Sequence, residues 1–379
     1  MSLLRHILTL LVALAGCLYA CPQPSQAPDS LRVSLLTCSP GAEIFELYGH
    51  EALRIKGNLA GKPVDEVYNY GVFDYAAPNF IYRFVKGETD YFVDVAPTDW
   101  FLNSYYVQGR RVDEQPLNLT QSQAAVLYER LQNDLLPENR SYRYRYFSNN
   151  CSTRILDHID AVAPDALPSG TQTNLTYRRL IERYNEGYPW YQLGIDVALG
   201  SAIDRPISLR QTMFVPMELL RHYGPSQTLV EGCGDRRQPP TPWYLSPLFV
   251  CWTVAVAIAV CLFCGIRMTW LRSLWFLLLG LAGSLVFFLI FASDHEGTSP
   301  NLLGWWLNPL WLIAAATIWL GPNRFNRCLL TAGGAATGIL LLAWPILPQS
   351  TNAALFPLMG ATMLLCMPPR WFRRPFIRT

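Results

Sequence analysis

Charge is scarce in this chain, and so are histidines and paired cysteines. Only 15% of the 379 residues are charged, against 51% hydrophobic. That apolar share exceeds what a soluble domain carries, so part of the chain is expected in a membrane. The 30 Lys and Arg nearly balance the 28 Asp and Glu, leaving a net charge of +2; this gives no global reason to expect nucleic acid as a partner. The ten cysteines include no two CxxC pairs at metal-binding distance, so neither a metal site nor a cofactor is expected. With five histidines in all, few residues can serve as a general base.

What is present divides the chain sharply. Residues 1–27 carry Arg5, an apolar run from Ile7 to Leu14 and a small, polar exit, the pattern of an export signal. Two processing sites compete, one after Ala27 and one at Leu14-Ala15-Gly16-Cys17, which resembles a lipobox and would make Cys17 the lipid-modified first residue. Residues 28–224 have the size and composition of one soluble domain outside the cytoplasm. Its first half reads as strands at Leu31 to Leu36, Leu47 to Lys56, Val64 to Tyr75 and Tyr91 to Val95. A helix capped by Thr120 and Gln123 follows, with Ala124, Leu127, Leu131 and Leu135 on one stripe. The expected class is therefore α+β.

Residues 225–245 are polar and proline-rich and read as a linker. Beyond them lie five apolar segments within 246–368, near Pro247 to Ile266, Leu274 to Ala292, Trp305 to Leu320, Leu329 to Ile346 and Ala353 to Met367, an all-α transmembrane domain of about five helices. Arginines occupy the first and third connecting loops and the tail 369–379, whereas SDHEGTSPN and PQSTN carry none. The basic tail is then cytoplasmic and the soluble domain lies on the outer side of the membrane. Trp305, Trp306 and Trp311, with Trp243 and Trp252, are expected at the outer interface.

Outside the leader and the apolar segments only Cys38, Cys151 and Cys233 remain. Three is odd, and Cys38 with Cys233 is the simplest disulfide. Cys151 follows Asn149-Asn150 and precedes an apolar-periodic run, which places it in the first turn of a helix. There the free N–H groups and the helix dipole favour a thiolate. His50, preceded by Gly49 on a strand, can be held within reach as the base. His158 shares the cysteine's helix but lies too far along it. Asn69 is the preferred group to orient the imidazole, with Asp74 as the alternative. The Cys151 backbone N–H, with Asn149 or Asn150 nearby, could bind an oxyanion. His295 or Asp294, where the second span exits, could place a head group or an acceptor amine. Arg54, with Lys56, Arg83 and Lys86, could meet a phosphate.

An early strand histidine, a later helix-tip Asn-Cys and an aromatic-rich sheet between them resemble the circularly permuted NlpC/P60 superfamily, papain-like in arrangement and including the lecithin:retinol acyltransferase group. The segments LLTCSPGAEIFELYGHEALRI, VYNYGVFDYAAPNF, PENRSYRYRYFSNNCSTRI and SDHEGTSPNLLGWWLNPLWL resemble the Lnb N-terminal periplasmic domain family with its membrane region. The resemblance implies a lipoprotein N-acyltransferase. Such an enzyme moves a fatty acyl chain from a membrane phospholipid, through a thioester, to the amine of a lipoprotein's N-terminal cysteine. It further implies Cys151 as nucleophile, His50 as base, and Cys38 near the site. Two other readings stay open: a membrane-bound cysteine amidase or peptidase, and a non-enzymatic sensor or scaffold in which Cys151 pairs with Cys38 or Cys233.

Overall fold

The structure, a computed structural model, describes residues 30–165, 170–233, 240–266, 268–321 and 323–368. The export signal, Cys17 and the basic tail lie outside the described residues. Alternating apolar residues in the first half build strands β1 (Ser30–Cys38), β2 (His50–Leu59), β3 (Lys62–Val72), β4 (Asp90–Pro97) and β5 (Val112–Pro116), which β6 (Ser141–Arg143) and β9 (Gln227–Val230) extend at the two edges. All pair antiparallel in the order β6-β4-β3-β2-β1-β5-β9. A two-stranded ribbon, β7 (Gln172–Thr176) and β8 (Pro206–Ser208), stands apart.

Helices cover both faces of the sheet. Between β3 and β6 run α1 (Phe80–Lys86), α2 (Thr98–Gln108) and α3 (Gln121–Asp134), and α4 (Cys151–Val162) follows β6. Because strand side chains alternate, Leu35, Leu53, Ile55 and Tyr68 face one way, onto Leu127 and Leu131 of α3 and Ile155 and Ile159 of α4. Leu36, Ala52, Val67 and Val112 face the other way, onto Phe101 and Tyr105 of α2. Short helices α5 (Tyr177–Tyr184), α6 (Pro189–Ala198), α7 (Leu209–Thr212) and α8 (Pro216–His222) complete the domain. Arg178 of α5 is fully buried, held at 2.9 Å by both Asp196 and Asp204.

The domain runs further than the sequence predicts. Residues 227–230 pair with β5 and Cys233 N–H donates to Gly109 O, so the expected linker begins as a sheet edge. Its short QTLV run is masked by the prolines and charges around it.

The C-terminal region is helical: α9 (Pro247–Phe263), α10 (Thr269–Phe291), α11 (Leu310–Thr317), α12 (Arg324–Ala343) and α13 (Leu355–Cys366). The stretches Thr269–Phe291, Leu302–Leu320 and Arg324–Ile346 are long and apolar enough to cross a membrane, whereas Pro247–Phe263 and Leu355–Cys366 are shorter. Two of the expected interface tryptophans are interior instead. Trp306 and Trp311 are buried, because the Trp306 indole donates to Thr362 Oγ1 at 3.0 Å and that of Trp311 to Trp306 O at 2.6 Å. Trp243, Trp252 and Trp305 are exposed.

Candidate active site

Asn150 starts α4. Its side-chain oxygen accepts the Thr153 N–H at 2.9 Å, and Thr153 Oγ1 accepts the Asn150 N–H at 2.7 Å. This capping box fixes the helix origin and sets Cys151 at its first position. The Asn150 amide is then fully engaged, since Nδ2 donates to Tyr146 O and Phe214 O. Asn149 Nδ2 donates to Arg143 O at 2.7 Å, away from the cavity. Neither side chain is free to meet an oxyanion.

His50 opens β2 and Asn69 lies on β3, and their side chains meet at 2.5 Å between Nε2 and Oδ1. An amide oxygen only accepts, so Nε2 carries the proton and Nδ1 keeps its lone pair. Alternation assigns His50 to the Ala52 face, while α4 packs against the opposite one. Gly71 lies between the two, at a bulge between Asn69 and Val72. A Cβ on Gly71 would lie 3.4 Å from Cys151 Cβ and 3.6 Å from His50 Cε1. The strand therefore lacks a side chain in the space beside Cys151 and the His50 imidazole.

Cys151, His50, Asn69 and Gly71 line one cavity of about 370 Å³, walled by Phe45, Phe73, Tyr91 and Tyr144. Burial pushes the Cys151 thiol up, opposed by the backbone N–H groups of Glu51, Ser152 and Cys151 itself. Burial also pushes His50 down to about 4, with Asn69 pulling it back up and Arg110 lowering it further. Burial thus favours the uncharged form of both groups, thiol and neutral imidazole.

Three residues of this site were not read from the sequence. Arg110 donates to Glu46 Oε1 at 2.7 Å and to Ser39 O at 2.9 Å; it is buried, and its Nη2 has no partner. Glu51, wholly buried, accepts from Thr37 Oγ1 at 2.9 Å and leaves Oε1 unpartnered. Gly71, isolated in a strand pattern, carried the only readable signal, that of a bulge. The other two depend on which strands become neighbours.

Several expectations are corrected. Cys38 and Cys233 are free thiols: Cys38 is buried opposite His50, whereas Cys233 is exposed beyond β9, on the far side of β5. Cys151 is likewise free, which removes the disulfide on which the scaffold reading rested. Cys38 sits beside the site without lining its cavity, and burial holds its thiol protonated. Arg54 cannot meet a phosphate, because Asp65 holds it bidentately at 2.7 Å and Glu114 at 3.1 Å. Lys56, Arg83 and Lys86 pair with Asp65, Asp90 and Glu88. His295 Nε2 lies 2.6 Å from Phe84 O, and Asp294 N–H donates to Lys86 O at 2.8 Å. That pair fastens α1 to the end of α10 and does not line the cavity. His158 is a core residue, its Nε2 2.9 Å from Asp134 and 3.0 Å from the Tyr70 hydroxyl. Asp74 closes a turn, accepting from Ala76 N–H at 2.8 Å. Among the described residues no three His, Cys, Asp or Glu side chains gather as a metal-ligand set.

Residues 21–183 match the family model described as the Lnb N-terminal periplasmic domain, and residues 239–373 match the one described as the Lnb transmembrane domain. No curated protein and no solved structure matches the chain significantly.

Proposed function

The chain belongs to the Lnb family, a periplasmic domain joined to a transmembrane domain, and from that premise we propose that it is a lipoprotein N-acyltransferase using Cys151 and His50. The observation that carries this reading is that those two side chains line one cavity on either side of Gly71, with Asn69 on the imidazole, in a domain attached to membrane helices. A thiol enzyme built this way has its donor and its lipid-anchored acceptor in the same bilayer.

Cys151 Sγ attacks the carbonyl carbon of a phospholipid acyl ester while its proton passes to His50 Nδ1. The ester C–O bond breaks, and His50 returns the proton to the departing glycerol oxygen. A lysophospholipid and a Cys151 thioester remain. The amine of a lipoprotein's N-terminal cysteine then attacks the thioester carbonyl, the C–S bond breaks, and the amine proton travels through His50 back to the Cys151 sulfur. Backbone N–H groups around Cys151 hold the negative charge that Asn149 and Asn150 cannot. Arg110 lines the same cavity and puts a positive charge beside a substrate oxygen there.

The order of histidine strand, asparagine strand and cysteine helix tip fits a permuted NlpC/P60 arrangement. Five crossings of an inner membrane, with the basic tail in the cytoplasm, fit the arginines of the connecting loops. The test is mass spectrometry of lipoprotein N-termini from cells lacking this protein and any redundant enzyme. N-acylation should be lost, restored by the wild-type chain, and not restored by Cys151→Ala or His50→Ala. Restoration by either variant would overturn the reading.

A further inference from the structure

A second hollow lies where the periplasmic domain meets the membrane helices. It measures about 790 Å³ and is lined by Tyr75, Phe80, Ile81 and Tyr82 around α1 and by Leu285 and Phe288 of α10. These α10 residues belong to a membrane-spanning stretch and sit in its last two turns. Ile81 is 77% exposed and Tyr82 56%, too much apolar surface for a site facing water alone.

The exposure is held in place by bonds at the other end of α1. Ser293 Oγ donates to Val85 O at 2.9 Å, and Asp294 and His295 secure Lys86 O and Phe84 O. The apolar side of α1 is thereby fixed beside the end of the span, with the Tyr82 and Phe288 rings 6.1 Å apart.

Only one layer of rings separates this groove from the catalytic cavity. Phe73, which lines the cavity, lies 4.7 Å from the Tyr75 ring and 5.7 Å from that of Phe80 on the groove side. Phe45, also a cavity residue, lies 6.1 Å from Tyr75. Phe45 and Tyr75 are both more than half exposed, so neither is locked into a core.

We propose that the groove between α1 and α10 receives the acyl chain of a bilayer phospholipid, and that the Phe45, Phe73 and Tyr75 rings are the gate through which its ester end reaches Cys151. The bilayer supplies the occupant, because one wall of the groove belongs to a helix that spans it. The inference rests on the acyl-transfer reading for what happens at the cavity, but the groove itself can be tested without turnover.

The full-length Cys151→Ser protein is placed in lipid nanodiscs doped with a phospholipid that carries a diazirine on its acyl chain, and crosslinked peptides are mapped. Labelling of the peptides containing Ile81 and Leu285 should exceed that of the peptide with Ile339 and Leu342, exposed on another span, at least fivefold. Equal labelling would mean only unspecific lipid contact and would overturn the groove.

A second arm follows acylation of Cys151 by mass in an otherwise wild-type chain. Leu285→Trp, which fills the groove from the membrane side, should slow acylation by bilayer phospholipid at least tenfold. The rate with a water-soluble short-chain nitrophenyl ester should stay the same. An unchanged phospholipid rate overturns the proposal. If Leu285→Trp loses both rates, the crosslinking arm decides. A wild-type Cys151 that neither donor acylates counts against acyl transfer, and the crosslinks still decide the groove.

Discussion

His50 and Asn69, on adjacent strands, meet at 2.5 Å through Nε2 and Oδ1, so the amide dictates which imidazole nitrogen stays unprotonated. Replacing the amide with an apolar isostere removes that constraint while leaving the sheet contacts in place. Asn69→Leu is therefore expected to slow acylation of Cys151 by about 10²-fold, within the range general-base catalysis supplies. Circular dichroism should match the wild type. A rate within threefold of wild type would show that the asparagine does not orient the base.

The pH profile should carry the mark of a buried imidazole. Burial takes His50 from 6.5 down to about 4, so the base form persists well below the usual range. The acid limb of Cys151 acylation by a soluble ester is expected near pH 4, not near 6.5. Stability has a matching sign: with a depressed folded pKa the unfolded state binds more protons between these values. The contribution is full above pH 6.5 and is lost as the pH falls towards 4. In His50→Gln, which has no ring to titrate, this part of the acid loss should vanish from thermal melts taken across the window.

That Cys151, His50 and Asn69 share one cavity was legible because each is marked by residue type and local position. A cysteine after Asn-Asn at a helix start, a histidine at a strand start and an asparagine within the next strand can all be found along the chain. Arg110 and Glu51 could not be found that way, since each matters only through neighbours distant in sequence: Arg110 through Glu46 and Ser39, Glu51 through Thr37 and the Cys151 helix tip. Helix α1 escaped for a different reason. It has seven residues, rich in aromatic and β-branched types that favour strands, and docking onto the end of α10 overrides that preference. The tryptophans misled because a composition rule cannot tell an indole facing lipid from one donating to Thr362.

Gly71 is expected to tolerate no side chain. Its φ of +93° is unfavourable for any residue with a Cβ, at a cost of about 1–2 kcal/mol. The added methyl would also stand between Cys151 Cβ and His50 Cε1. Gly71→Ala should lower the melting temperature by a few degrees and slow acylation at least tenfold. A variant destabilised to that extent yet fully active would show that nucleophile and base do not work across this gap.

Glu51 offers the sharpest separation of charge from shape. Burial pushes its carboxyl well above the usual range, against the pull of the Thr37 hydroxyl, and a thiolate on Cys151 pushes it up further. Two negative charges there would oppose each other, so Glu51 is expected to stay protonated when Cys151 reacts. Glu51→Gln, which keeps the shape and cannot ionise, should acylate within about threefold of wild type. For an acid whose folded pKa is raised, the stability contribution is full below the unfolded value of 4.5 and is lost as the pH rises through the folded one. Glu51→Gln should thus melt close to wild type at low pH and gain on it as the pH climbs. A constant difference across the range would mean that Glu51 is already ionised in the fold, and that Cys151 becomes a nucleophile beside a fixed negative charge.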